Sequence, residues 1–171
     1  MHTGPNLCIP TEPKTTSPRL TMFRSTIFAF VLLIATAFAG TSEDGLAWLS
    51  KKRSEEGVIA LPSGLMYKEV TAGTGKTPTI NSPTKCHYKG ELIDGTEFDS
   101  SYKRGEPLTF APNQVIKGWT EAMQLMKEGS KWELYIPSEL GYGDRGAGGS
   151  IPGGSVLVFT MEMIEVLGDS K

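Results

Sequence analysis

The chain is short of the residues that most often carry covalent or metal chemistry. Of its 171 residues only two are cysteine and two are histidine. That excludes a disulfide scaffold, and His2 and His87 lie too far apart for a local metal-ligand spacing. Neither sign of charge is in excess: 17 Lys and Arg against 19 Asp and Glu give a net −2, so nothing global points to nucleic acid. No apolar run reaches the roughly 20 residues of a bilayer-spanning helix. Glycine (20) and proline (11) are plentiful, and 39% of residues are hydrophobic, an ordinary globular share that excludes disorder over the full length.

The most apolar window, Ile27 to Ala39, has the three parts of a secretory signal. Arg24 stands ahead, an uncharged run follows from Ile27 to Ile34, and small residues close it. Ala35-Thr36-Ala37 and Ala37-Phe38-Ala39 both read as A-x-A cleavage sites. Residues 1–21, rich in Pro, Thr and Ser, sit awkwardly before a signal, whereas Met22 begins one of ordinary length and is the expected start. Residues 1–39 are therefore expected to be an N-terminal extension plus signal peptide, leading into the secretory pathway, to the ER lumen or outside. The run Ala35–Ala39 also fits the bipartite presequences of algae with complex plastids, so a plastid lumen is the alternative. Without residues 1–39 the chain carries a net −4 and one cysteine, Cys86. No stable membrane anchor is expected of it.

Residues 40–60 read as a short helical lead-in. Ser42-Glu43-Asp44 caps a helix running roughly from Gly45 to Glu56, with Leu46 and Leu49 on one face, Trp48 beside them and Gly57 as the stop. Three turns are marginal alone, so this helix must pack on something. From Leu61 the period changes to two. Leu65 and Tyr67, Cys86 and Tyr88, Trp132 with Leu134 and Ile136, and Leu157 with Phe159, Met161 and Met163 each mark one face of a strand. Asp94-Gly95 predicts a hairpin turn before Thr96-Glu97-Phe98, and Leu108-Thr109-Phe110 another short strand. Lys117 to Lys127 carries Trp119, Ala122, Met123 and Met126 at helical spacing, with Gly129 as the stop. Five or six antiparallel strands and one helix give an α+β fold, a curved sheet wrapped around a short α-helix, because one helix cannot cover a flat sheet that size.

Two nucleotide-like strings fail. Gly141-Tyr142-Gly143-Asp144-Arg145-Gly146 spells G-x-G-x-x-G, but Gly148-Gly149-Ser150-Ile151-Pro152-Gly153-Gly154 follows where the fingerprint needs a helix. Gly75-Lys76-Thr77 ends like a P-loop, but the motif's first glycine falls on Val70. After processing His87 is the only histidine, and strand parity puts it opposite Cys86, against a Cys-His nucleophile.

What remains is a concentration of aromatic residues beside a Gly-rich loop. Five strings, Cys86-His87-Tyr88-Lys89-Gly90, Asp94-Gly95-Thr96-Glu97-Phe98-Asp99-Ser100-Ser101, Gln114-Val115-Ile116-Lys117-Gly118-Trp119, Ile136-Pro137-Ser138-Glu139-Leu140-Gly141-Tyr142-Gly143 and Leu157-Val158-Phe159, stand in order. In that order and spacing, from about Leu61 to Val166, the chain resembles the FKBP-type peptidyl-prolyl isomerases, and its lead-in and Trp132 segment resemble the Mip-like branch. The resemblance implies that residues 61–171 form the isomerase domain, with Tyr88, Phe98, Asp99, Tyr142 and Phe159 as the catalytic set. It implies Leu108, Val115, Ile116, Trp119 and Ile151 as substrate-binding walls, Trp119 being the floor. Asp99, Tyr142 and the Ile116 N–H are the polar contacts the family uses. No cofactor or metal is implied. Proline-containing polypeptides are the expected partners, with macrolides as possible inhibitors. A Pro-peptide-binding or chaperone-like module with little turnover is the other use of the same pocket. In the Mip-like branch a longer N-terminal helical region serves dimerisation; the short helix here points to a monomer. Leu108 stands where many members have Phe, and the loop tip Arg145–Ser150 lacks bulky residues, departures that bear on substrate preference and macrolide affinity.

Overall fold

The structure, a computed structural model, describes residues 40–168. The expected leader, its Met22 start and both cleavage motifs lie outside the described residues.

The chain enters helix α1 (Glu43–Arg53) through Ser42, whose Oγ accepts the Gly45 N–H at 3.2 Å. Glu43 and Asp44 fill the first turn and Lys51, Lys52 and Arg53 the last, each sign opposing the helix dipole. The helix lies within the expected span at its C-terminal end, stopping at Arg53 rather than Glu56. Gly57, at φ +81, then turns the chain into strand β1 (Val58–Ala60). Six further strands follow: β2 (Met66–Thr71), β3 (Thr84–Leu92), β4 (Glu97–Ser100), β5 (Leu108–Phe110), β6 (Lys131–Ile136) and β7 (Leu157–Val166).

The sheet order is β1-β2-β6-β7-β3-β4, with β5 also paired to β3, and every pairing is antiparallel. All six strands expected from period two form. β1 is the addition, an edge strand whose three residues are too few to display a period. Register shifts at Glu69/Thr71, Lys85/Cys86 and Gly90/Glu91 mark bulges, which bend the sheet. Helix α3 (Lys117–Met123) packs on its inner face; the spacing predicted it to Lys127, but the helix proper stops at Met123 while Met126 stays fully buried. A four-residue helix, α2 (Ser101–Arg104), follows β4 directly and closes on Gly105 at φ +79.

Two apolar layers result. On the inner face Tyr88, Leu134, Ile136, Leu157, Phe159, Met161 and Met163 pack with Trp119, Ala122, Met123 and Met126 of the α3 segment. On the outer face α1 lays Leu49 and Trp48 over Met66, Tyr135, Val156 and Val158. Tyr135 alternates with Trp132, Leu134 and Ile136 and so shares the outer side with Lys131 and Glu133, yet it has 0% exposure because α1 covers it. Trp48 meets the Tyr135 ring edge-on at 5.6 Å, and the Lys52 ammonium lies 5.2 Å from both rings. Leu46, expected beside Leu49, remains 44% exposed.

Candidate active site

The site begins with Trp119. Ile116 precedes α3 as its N-cap, so the indole leaves the first turn and points back toward the sheet. Gly118 makes this possible: a side chain there would meet Ile136 at 2.7 Å. Around the indole stand Tyr88 (5.0 Å, edge-on), Phe159 (4.9 Å, edge-on) and Phe110 (5.2 Å, tilted). Phe98 meets Phe159 edge-on at 5.5 Å. That pair depends on Gly90 lying behind it, since a Cβ at residue 90 would fall 2.6 Å from both rings.

Above this floor opens a hollow of about 650 Å³, within the range of small-ligand sites. All ten residues named from the sequence line it: Tyr88, Phe98, Asp99, Leu108, Val115, Ile116, Trp119, Tyr142, Ile151 and Phe159. Phe110, Gln114, Ala147, Gly148 and Ser150 line it too. Phe110 was overlooked as a wall although its parity with Leu108 on β5 would have placed it on the same face. Trp119 is 6% exposed yet reaches the hollow, whereas Leu108 and Tyr142, at 40% each, form its rim.

The far side is a loop, Ser138–Gly154, in which the chain crosses itself. Gly146, at φ +64, passes so near Ile151 that a Cβ would overlap its carbonyl. Ala147 and Ile151 then exchange backbone hydrogen bonds (2.9 and 3.0 Å), seating the Ile151 side chain, 8% exposed, against the core.

Polar groups are few and sharply divided. Tyr88 donates its hydroxyl proton to Asp99 Oδ2 at 2.6 Å, and Arg104 Nη2 donates to the Tyr88 oxygen at 2.7 Å. Arg104 Nη1 closes the triangle on Asp99 Oδ1. Burial works to raise the Asp99 carboxyl, but the hydrogen bonds from Tyr88 and Arg104 and the guanidinium charge outweigh it and hold the pKa below the ordinary carboxylate value. Burial, with the bond to Asp99, raises that of Tyr88. Asp99 is thus a fixed carboxylate and Tyr88 a fixed hydroxyl. Arg104 was not foreseen; α2 carries it back onto Asp99, and a four-residue helix leaves no periodic trace. By contrast, the Tyr142 hydroxyl and the Ile116 N–H find no acceptor among the described residues. The Trp119 Nε1–H is buried and also without one.

Nothing in the hollow is a nucleophile paired with a base. Cys86 lies outside it in the core, its thiol pushed up to about 12 by burial. His87 faces the opposite way, its Nδ1 2.9 Å from Ser101 Oγ and its ring stacked on Tyr102 at 4.6 Å. The arrangement can enclose a small apolar ring, offer donors to carbonyl oxygens and exclude water.

Residues 74–164 match the family described as FKBP-type peptidyl-prolyl cis-trans isomerase, and the chain belongs to that family.

Among its relatives, the FKBP-type 22 kDa peptidyl-prolyl cis-trans isomerase of Escherichia coli (strain K12) is 49% identical over 130 residues, 76% of this chain and 63% of that one. The Outer membrane protein MIP of Legionella longbeachae is 49% identical over 122 residues, 71% of this chain and 52% of that one. The crystal structure of FkpA from Escherichia coli superposes with a TM-score of 0.70 at 45% identity, covering 72% of this chain and 58% of that one. The chain thus spans between half and two thirds of the length of these relatives. The Mip-like resemblance and the FKBP-like fold expected from the sequence both hold.

Proposed function

We propose that this protein accelerates rotation about X–Pro bonds in polypeptides outside the cytoplasm, by desolvation and without covalent chemistry. The observation that carries the reading is the hollow itself, with a Trp119 floor, apolar walls and unengaged donors at Tyr142 and Ile116.

The barrier to X–Pro rotation, about 18–20 kcal/mol, is lost amide resonance, and uncatalysed rotation takes tens to hundreds of seconds. The planar amide carries partial charge on its carbonyl oxygen, which water stabilises; the twisted amide carries less. An apolar hollow therefore disfavours the planar form more. Burying an unpaired amide costs roughly 2–7 kcal/mol, and each ~1.4 kcal/mol of barrier removed is tenfold in rate. The proline ring would lie on Trp119 between Tyr88, Phe98 and Phe159. The residue before it would meet Leu108 and the loop beside Ile151. Neighbouring carbonyls would accept from the Ile116 N–H and the Tyr142 hydroxyl. Asp99, bound to Tyr88 and Arg104, holds that wall in place. A macrolide with a comparable ring would compete for the same floor.

The signal-like residues 1–39 support an extracytoplasmic site of action, as does the similarity to a protein named for the outer membrane. Residues 40–60 fold back as α1 and β1 on their own sheet, which supports action as a monomer. The test is a refolding reaction limited by proline isomerisation. Catalytic amounts of protein are expected to accelerate it; unchanged rates at stoichiometric protein, with the fold verified by circular dichroism, would reject turnover and leave the pocket as a binding module.

A further inference from the structure

The residues just past the expected leader are stitched to the loop that closes the hollow. Thr41 Oγ1 donates to Glu139 Oε2 at 2.8 Å, and the Thr41 N–H to Glu139 Oε1 at 3.2 Å. The Ser138 N–H donates to Thr41 Oγ1 at 3.0 Å, and the two hydroxyls lie 3.0 Å apart. Both side chains are buried. One residue on, the Ser42 N–H donates to the Gly154 carbonyl, and the Gly154 N–H to that of Gly143, each at 3.0 Å. Residues 41 and 42 therefore hold both ends of the segment that presents Tyr142 and Ile151 to the hollow.

Gly40 lies at the head of this strap, with φ +142. The point one bond out from its Cα, where a side chain would begin, lies 2.8 Å from Ser138 Oγ, 3.3 Å from Glu139 Oε1 and 3.4 Å from Asp144 Oδ1. Three oxygens about one point are a poor place for a methyl group and a good one for an ammonium. Neither Glu139 nor Asp144 has a cationic partner among the described residues. If Gly40 were the first residue, rotation about its Cα–C bond by one staggered step would carry its nitrogen into that point. The A-x-A motif ending at Ala39 stands directly before it.

We propose that the leader is cut after Ala39 and that the new Gly40 α-ammonium seats among Ser138, Glu139 and Asp144, clamping the substrate loop in the processed chain. In the cut, water adds across the Ala39–Gly40 peptide bond under a leader peptidase. Its hydroxyl goes to the Ala39 acyl carbon and its hydrogen to the Gly40 nitrogen, and the proton shed by the new carboxylic acid is taken up by the amine. Cutting at the other motif, after Ala37, would leave two residues ahead of Gly40 and no charge at the seat. A side chain at residue 40 would occupy the seat itself. The inference rests on residues 1–39 being a leader.

The full chain, expressed with its leader in a secreting host, tests it by intact mass of the exported product. A first residue of Gly40 is expected; Phe38 would overturn the seat alone, and an uncut chain would overturn the leader reading with it. The second measurement is the pH dependence of α-amine acetylation by acetic anhydride. An ordinary α-amine titrates near 8; the two carboxylates are expected to raise it by roughly half a unit or more. In a Glu139→Gln, Asp144→Asn double variant it should fall back, while equal values in both proteins would overturn the seat. Acetylated protein should also show faster hydrogen exchange at Tyr142 to Gly146; unchanged exchange would overturn the clamp. None of these readouts depends on turnover, so an inactive protein still tests the seat.

Discussion

Exclusion of water and polar assistance are separable at two neighbouring walls. Phe98→Ala removes a ring that meets Phe159 edge-on at 5.5 Å and opens that side of the hollow. Full truncation of a buried Phe costs about 3–5 kcal/mol of stability; Phe98 is only partly buried, so about 2 kcal/mol is expected by scaling that range. The catalytic effect is larger in proportion. Water admitted beside the substrate amide returns part of the roughly 2–7 kcal/mol desolvation term, and a loss of ~1.5–3 kcal/mol is a ten- to hundredfold fall in kcat/KM. Tyr88→Phe keeps the ring over Trp119 and deletes only the hydroxyl between Asp99 and Arg104. Those two remain paired to each other, so kcat/KM should fall less than about tenfold, equivalent to ~1.4 kcal/mol. The assay is cis–trans relaxation of a proline tetrapeptide, with thermal unfolding run alongside. Phe98→Ala within threefold of the parent, beside a Tyr88→Phe variant stripped of activity, would refute desolvation as the source of rate.

Three other outcomes follow from the packing and charges. Gly90→Ala should push Phe98 and Phe159 apart, costing about 1–3 kcal/mol as overpacking, and should weaken substrate binding; a thermal midpoint equal to the parent's would contradict the geometry. Against the burial that would raise it, the hydrogen bonds from Tyr88 and Arg104 and the guanidinium charge hold the folded pKa of Asp99 below the ordinary carboxylate value. Its contribution to stability is therefore complete above that value and is lost as pH falls through the lower folded one. Acid titration of Asp99→Asn, followed by tryptophan fluorescence, should be flatter below pH ~4 than that of the parent, the ordinary Asp range. Leu49→Ala, on the outer face, should cost about 2–4 kcal/mol as a buried Leu truncation, with kcat/KM unchanged; a parallel loss of activity would tie the two apolar layers together.

Where residues alternate between core and solvent, the strands could be read directly. Thr84–Leu92 is buried at every second position through Gly90, so Cys86 and Tyr88 were placed correctly against Lys85, His87 and Lys89. The α3 segment was equally open, because Trp119, Ala122, Met123 and Met126 share one face and all are buried. β1 escaped notice since its bonds come from β2, not from any pattern of its own. Tyr135 lies on the face opposite Trp132, Leu134 and Ile136, but a cover supplied by a helix more than eighty residues earlier leaves no mark in its own strand. The hollow's walls came from motif resemblance; periodicity alone would have assigned Trp119 and Phe159 to plain core, as both are more than nine-tenths buried. Arg104 reaches Asp99 only through the turn of α2, which no spacing rule anticipates.

The apolar layer under α1 changes what counts as a workable fragment. The match to the family as a whole spans residues 74–164, and an excision at residue 74 would discard α1, β1 and β2 together. Tyr135 and Val158, covered in the intact chain, would become a greasy flank next to the raw edge of β6, now without its partner. Such a fragment would keep every residue of the hollow and still tend to stack with copies of itself, so the useful starting point for a recombinant domain is Gly40, not the first residue of the motif.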